Sequence, residues 1–281
     1  MDHNLVWTQT KVGALLEFFN DLFYREKASY SAINAARSAM ASCLSLEDST
    51  YTVGTHPLIS RYLKGVFQLR TPTPRYGCIW DVQVVLNYLR GLSPASKLSL
   101  KALTLKLCML LALVSAQRVQ TIQNFNLDKM IISEESVELH VDILLKQSRP
   151  GNVGKVVQLN AFPKDKRLCV VRYLKQYIRQ TGPIRKSERH LFISYQKPHR
   201  RATKSTISRW IKTVMTKAGI DTEQYKSHST RAAAASCASK RHFPVNDILQ
   251  QAGWSNETTF QRFYNKPVEP GTSFTSTILD H

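Results

Sequence analysis

The stretch from Leu98 to Ala116, LSLKALTLKLCMLLALVSA, leaves a folding chain little choice. Apolar residues fall on nearly every side of the helix it would form, so that helix must be enclosed by other elements rather than laid on a surface. A bilayer is not the enclosure, because the longest uninterrupted apolar run, Cys108 to Val114, is far short of the roughly 20 residues a membrane span needs. A domain therefore has to be built around it. With 281 residues the chain can supply that core and a second, smaller one.

The smaller one lies upstream. From Val12 to Tyr24, Leu15, Phe18, Phe19, Leu22 and Phe23 recur at helical spacing; SYSAINAARSAMASCL continues with a second helical pattern rich in small residues. HPLISRYLKGVF gives a third, with Pro57 tolerated in its first turn. Residues 68–77, QLRTPTPRYG, carry two prolines, a glycine and no apolar periodicity, and read as a linker. This predicts a helical domain over residues 1–72 and a larger domain over residues 73–281.

In the larger domain a helix from Trp80 to Leu92 precedes the central apolar one. Between Met130 and Asn160, β-branched stretches broken by Ser-Glu-Glu-Ser and SRPGNVG predict a three-stranded antiparallel meander, with Lys146 ending its second strand and Lys155 beginning its third. A helix from Lys166 to Gln180 and a short strand, HLFISY, follow. STISRWIKTVMTKAG predicts a helix capped by Ser205 or Thr206, with Ile207, Trp210, Ile211, Val214 and Met215 as its apolar stripe and Gly219 as its stop. The fold class is mainly α with a small antiparallel β-sheet.

Charge narrows the function. The 39 Lys and Arg against 20 Asp and Glu leave a formal +19, well beyond what solubility asks of a chain this size. Such an excess points to a polyanion, nucleic acid first and an anionic membrane surface second. The five cysteines, Cys43, Cys78, Cys108, Cys169 and Cys237, are odd in number, scattered and never in a CxxC pair. They indicate neither a disulfide framework nor a zinc module, and fit a reducing intracellular setting. The start, MDHNLVWTQTK, lacks the basic-then-apolar order of a signal peptide. With no carboxylate cluster and no Cys/His ligand set, no metal and no cofactor are expected.

Several polar residues fit a pure packing account badly. Arg118 follows the central helix and either caps its C-terminus or serves chemistry. Lys146 and Lys155 flank a Gly-Pro turn, where lysine is also ordinary surface. His228 and Arg231, in HSTRAAAASCASK, are three apart and project from one face of a first helical turn, where free N–H groups favour a phosphate. Among eight histidines one HxxR match is also unremarkable by chance. Trp254 and Phe260 with Phe263 read as core, and Tyr264 as a partly buried aromatic with its hydroxyl at the surface. Arg200, Arg201 and Lys204 in QKPHRRATK, with Arg209 and Lys212 on the polar helix face, form a basic surface suited to phosphate contacts.

Taken in order, Arg118, the hairpin lysine, His228 with Arg231, Trp254 and Tyr264 resemble the catalytic set of the tyrosine recombinase (phage integrase-like) family. SAQRVQTIQNFNLDKM, HSTRAAAASCASK and AGWSNETTFQRFYNKP look most like the recombinases of DIRS-type and Crypton-type eukaryotic mobile elements. The resemblance implies an N-terminal core-binding domain and a C-terminal catalytic domain clamping double-stranded DNA, with a homotetramer on DNA, a monomer off it, no membrane partner, and a nuclear location if the element is eukaryotic. It implies metal-free cleavage and rejoining through a 3′-phosphotyrosyl link. Tyr264 would be the nucleophile, Arg118 and Arg231 would grip the phosphate, and His228 and Trp254 would donate hydrogen bonds to it. Lys146 would be the general acid, with Lys155 in reserve. Two features depart from the family pattern: Thr121 stands where many members carry an acid, and Tyr264 follows Trp254 by ten positions, one more than in the bacterial and phage enzymes. By their spacing the nucleophile would fall on Phe263. The rival readings are a catalytically silent DNA-binding descendant, a type IB topoisomerase, and a basic scaffold for RNA or a membrane surface.

Overall fold

The computed structural model describes residues 9–47, 49–73, 75–141, 155–254 and 256–268. The chain divides into two compact units, Met1–Pro74 and Arg75–His281.

In the first unit, β1 (Gln9–Thr10) leads into α1 (Val12–Tyr24), α2 (Tyr30–Cys43), β2 (Ser45–Leu46) and α3 (Pro57–Leu69). The two short strands pair in parallel. Each helix turns one apolar stripe inward: Leu15, Phe19 and Phe23 from α1, Ile33 from α2, and Ile59, Leu63 and Val66 from α3. The side chain of Ser29 caps α2 by accepting from the Ala32 N–H at 3.2 Å, and His56 Nδ1 accepts from Leu58 N–H ahead of α3, whose first turn holds Pro57.

The second unit opens on Tyr76 and Trp80, both buried. The Lys226 N–H donates to the Tyr76 hydroxyl at 3.3 Å and Trp80 Nε1–H to Ser229 Oγ at 2.9 Å, so the proline-rich stretch ends in structure rather than in linker. Trp80 also stays outside the helix expected from it: α4 (Val82–Gly91) starts where Asp81 accepts from the Gln83 N–H. Then come α5 (Leu100–Ser115) and the short α6 (Val119–Gln123). Every residue of α5 from Leu103 to Leu113 is buried, as its all-round apolar pattern demands.

The sheet is β3 (Met130–Ile132), β4 (Ser136–Val141) and β5 (Lys155–Asn160), antiparallel in that order. Alternation puts Val137, Leu139, Val141, Val157 and Leu159 on its inner face. Lys155 opens β5; Lys146 lies outside the described residues. The next helix, α7 (Val170–Thr181), begins later than the expected Lys166, because a turn at Asp165 comes first. Arg90 and Arg167 both donate to the Asp165 carboxylate, and these contacts, Arg167 foremost, hold its pKa well below the usual carboxylate range.

HLFISY is not a strand. Leu191, Phe192 and Ile193 are all buried, and their backbone makes only one-residue bridges, His190 with Asn126 and Ile193 with Arg201. α8 (Lys204–Lys217) is capped two to three residues earlier than expected, by Thr203 Oγ1 accepting from Thr206 N–H at 3.2 Å, and Gly219 ends the segment at φ 91°. α9 (Ser229–Lys240), α10 (Val245–Ala252) and α11 (Glu257–Phe263) complete the unit. α7, α8 and α9 pack around α5. No helix among the described residues is long and apolar enough to cross a membrane.

Lys106 is the exception inside α5. Fully buried, it donates to the Leu89 and Leu92 carbonyls, both at 2.7 Å, and lies 3.8 Å from the centroid of the Tyr173 ring. Burial pulls its pKa down to about 7, countered in part by Asp165. In the unfolded chain the amine keeps its proton up to the ordinary value of 10.5. Between those two values the unfolded state binds the extra proton, so this group makes stability rise with pH. Denaturant titrations at pH steps from about 7 to 10 are expected to show that rise in wild type and a flatter profile in Lys106→Met. Parallel profiles would assign the pH dependence elsewhere.

Candidate active site

α9 organises the site. Arg231, in its first turn, is only 5% exposed, yet among the described residues no carboxylate acts on its charge. Its Nε–H donates to the Ala116 carbonyl and an Nη2–H to the Ala252 carbonyl, each at 2.8 Å. These two residues end α5 and α10. Helix C-termini carry unpaired carbonyls and the negative end of the dipole, so together they replace the missing counter-ion. Ala116 ends α5 in the left-handed region at φ 50°, and Gly253 does the same for α10 at φ 71°. Arg118 therefore does not cap α5. It stands at the start of α6 instead, and its side chain is left to the cavity beside α9.

The consequence is convergence. Arg118, His228, Arg231 and Tyr264 line one cavity of about 420 Å³, with Lys204 and Ser208 of α8 on its wall. Trp254 packs behind it: its ring centroid is 4.4 Å from that of Tyr264, and the Arg231 guanidinium lies 4.6 Å from the Trp254 ring and 5.6 Å from the Tyr264 ring. Trp254 Nε1–H is buried with no hydrogen-bond partner among the described residues. An unpaired buried donor is costly unless something completes it.

Tyr264 follows the last turn of α11 and is half-buried, whereas Phe263, expected in the core, is 39% exposed. At about 100° per helical residue, Phe263 and Tyr264 fall roughly 60° and 40° to opposite sides of the inward-facing Phe260, and of the two only Tyr264 lines the cavity. Thr121, at the position of the family's acid, is buried.

The electrostatics favour an anion. Burial lowers the Arg231 pKa to about 10, Arg118 pushes the same way, and Tyr264 opposes. Arg118 is likewise lowered, by burial first, with Tyr264 opposing. Two guanidinium groups facing one cavity without a carboxylate are each relieved by a bound phosphate, which pairs with the planar fork. His228 is held below its ordinary 6.5 by desolvation first, then by Arg75 and Arg231. The imidazole is thus neutral at neutral pH. Its contribution to stability is present above 6.5 and is lost as pH falls toward the lower folded value, since the unfolded chain then binds the extra proton. An NMR titration of the His228 ring is expected to give a midpoint below 6.5, moving upward in Arg75→Ala. A midpoint insensitive to Arg75 would remove that charge from the site.

Of the basic surface residues, Arg200 and Arg209 are exposed and Lys204 reaches the cavity. Arg201 instead donates to Asn124 Oδ1 at 2.6 Å, and Lys212 pairs with Glu223 at 3.2 Å. Sequence reasoning passed over Gln117, buried on the cavity wall, and Arg75 beside His228. Its proximity to Arg118 could have flagged Gln117; nothing local marks Arg75.

The chain matches the phage integrase family over residues 87–269, more than half its length. It belongs to the phage integrase (tyrosine recombinase) family. No curated protein sequence matches it. Among solved structures, this phage integrase family member is similar to a XerH site-specific recombinase bound to palindromic difH substrate in a post-cleavage complex, at 12% identity and TM-score 0.55 over 89% of this chain and 67% of that one. A Tn1549 transposon integrase in complex with circular intermediate DNA aligns over 96% of this chain and 84% of that one, at 11% identity and TM-score 0.55. A lambda integrase tetramer bound to a Holliday junction aligns over 95% and 68%, at 12% identity and TM-score 0.52. At these identities the likeness is one of fold: mostly helical, with the small antiparallel sheet of the tyrosine recombinase catalytic domain.

Proposed function

We propose that the chain is a DNA recombinase that cuts and rejoins duplex DNA through Tyr264. The observation that carries this is the gathering of Arg118, His228, Arg231 and Tyr264 on one cavity, with two guanidinium groups and, among the described residues, no carboxylate acting on them. Charge stabilisation on a phosphate and a nearby nucleophile are what phosphoryl transfer needs.

In the forward step the Tyr264 oxygen bonds to the scissile phosphorus and the bond to the 5′-oxygen breaks. Neutral His228 can take the phenol proton; a lysine, Lys146 by family resemblance or Lys155, gives one to the departing oxygen. Arg118 and Arg231 hold the non-bridging oxygens, and the Trp254 N–H donates to the same phosphate. The bond energy is kept in the 3′-phosphotyrosyl link, so a free 5′-hydroxyl can reverse the step on the same or another strand.

On this reading residues 1–72 supply a core-binding domain and residues 73–281 a catalytic domain. Arg200, Lys204 and Arg209 contact flanking phosphates, and the assembly on DNA is a tetramer, as in the lambda integrase structure bound to a Holliday junction. Integration or excision of a DIRS-type or Crypton-type mobile element in the nucleus is the biological setting this fits.

The test is a nicked duplex substrate that traps the cleaved strand, scored for an SDS-stable protein–DNA adduct. An adduct on cognate sites supports the proposal. Salt-sensitive duplex binding without one indicates a silent DNA-binding protein, and relaxation of arbitrary supercoiled plasmid indicates a topoisomerase.

A further inference from the structure

α9 also reaches the backbone on the far side of Tyr264. Ser236 is 2% exposed, and its hydroxyl donates to the Tyr264 carbonyl at 2.7 Å while accepting from the Lys266 N–H at 2.9 Å. The Tyr264 N–H is bonded to the Phe260 carbonyl at 2.8 Å, so the residue is tied on both sides. Just beyond, the Ile79 N–H donates to the Pro267 carbonyl at 2.8 Å and Ile79 bridges Val268, a second fixed point on the same segment. Helix α9 thereby bonds the backbone next to three site residues: Ala116 ahead of Arg118, Ala252 ahead of Trp254, and Tyr264 itself.

We infer that Ser236 is a positioning residue for Tyr264, fixing the nucleophile's backbone to the helix that carries His228 and Arg231. This rests on the reading of Tyr264 as the nucleophile. The physical reason is that α11 is short and Tyr264 is its C-cap: the Tyr264 N–H still completes the last helical turn, but its carbonyl lies past the helical ladder and needs a partner from elsewhere. A reacting atom displaced by about 1 Å costs on the order of 100-fold in rate. A single hydroxyl bonded to both a carbonyl and an N–H two residues apart removes that freedom without touching the DNA.

The experiment uses the full chain with three readouts: adduct formation at saturating nicked duplex, duplex affinity, and hydrogen exchange at the Lys266 amide. In Ser236→Ala the adduct rate is expected to fall about 10- to 100-fold with affinity unchanged, and the Lys266 amide to exchange faster while the α9 amides do not. Ser236→Thr, which keeps the hydroxyl, is expected to recover most of the rate. Wild-type adduct rates in Ser236→Ala overturn the inference. So does Ser236→Thr as slow as Ser236→Ala, or faster exchange along the whole of α9, which would make Ser236 a general packing residue. If wild type itself forms no adduct, the recombinase reading fails and takes the positioning role with it, even where Lys266 exchange responds to Ser236→Ala.

Discussion

Tyr264→Phe is expected to reduce the SDS-stable protein–DNA adduct to background, and adding Phe263→Tyr is expected not to restore it. The pair of variants decides the register raised by the ten-residue interval from Trp254. Tyr264 lines the cavity and stacks on Trp254, with Arg231 over its ring. Phe263 is exposed, with the Arg262 guanidinium 5.3 Å from its ring. A hydroxyl placed there starts from a side chain outside the cavity that Arg118, Arg231 and Tyr264 line. Both variants are expected to bind duplex as wild type does, because neither removes a cation. Adduct formed by the double variant would show that the bacterial and phage spacing governs this chain after all, and that α11 shifts when DNA binds.

The second large effect is at Arg231. Arg231→Ala is expected to destabilise the protein by about 2–5 kcal/mol, because it strips the donors from two buried carbonyls, each of which costs roughly 1–3 kcal/mol when left unpaired. It also opens a void between Trp254 and Tyr264. Arg231→Lys keeps the charge, yet an ammonium has no planar fork to span the ends of α5 and α10, nor a flat face to lie against Trp254. Its stability is expected to fall between the other two, and adduct formation to be lost in both variants. Urea titration followed by circular dichroism measures the first quantity, the nicked duplex the second. Near-wild-type stability in Arg231→Ala would mean that Ala116 and Ala252 find other partners and that α9 does not hold the site together.

Much of this was legible before folding. The all-round apolar pattern of Leu98 to Ala116 required an enclosed helix, and α5 is enclosed. Period-2 alternation gave β4 and β5 their inner faces, and 3.6-residue periodicity gave α1, α3 and α8 theirs. The positive excess and the order of Arg118, His228, Arg231, Trp254 and Tyr264 pointed to phosphate chemistry. Where reading failed, local pattern was a poor guide to surroundings. HLFISY looked like a strand because it is apolar, but among the described residues its pairings with residues 125–127 and 200–202 stay one-residue bridges and do not extend into a ladder. Lys106 was passed over within an apolar run, and only the ends of α4 explain how it can be buried. Ser236 sat in AAAASCA, a stretch that reads as close packing and nothing more.

The sequence by itself determined most of the helices, the three-stranded sheet, most of their inward faces, and which side-chain types are available for chemistry, because these depend on each residue's own stereochemistry and its neighbours within a few positions. The tertiary structure alone decided that Arg231 neutralises two helix ends, that Tyr264 rather than Phe263 faces the cavity, and that Ser236 holds the backbone after Tyr264. Those contacts join residues far apart in the chain, 115 positions in the case of Arg231 and Ala116. Hydrogen bonds of that kind depend on distance and angle in space, and no periodicity along the chain encodes them.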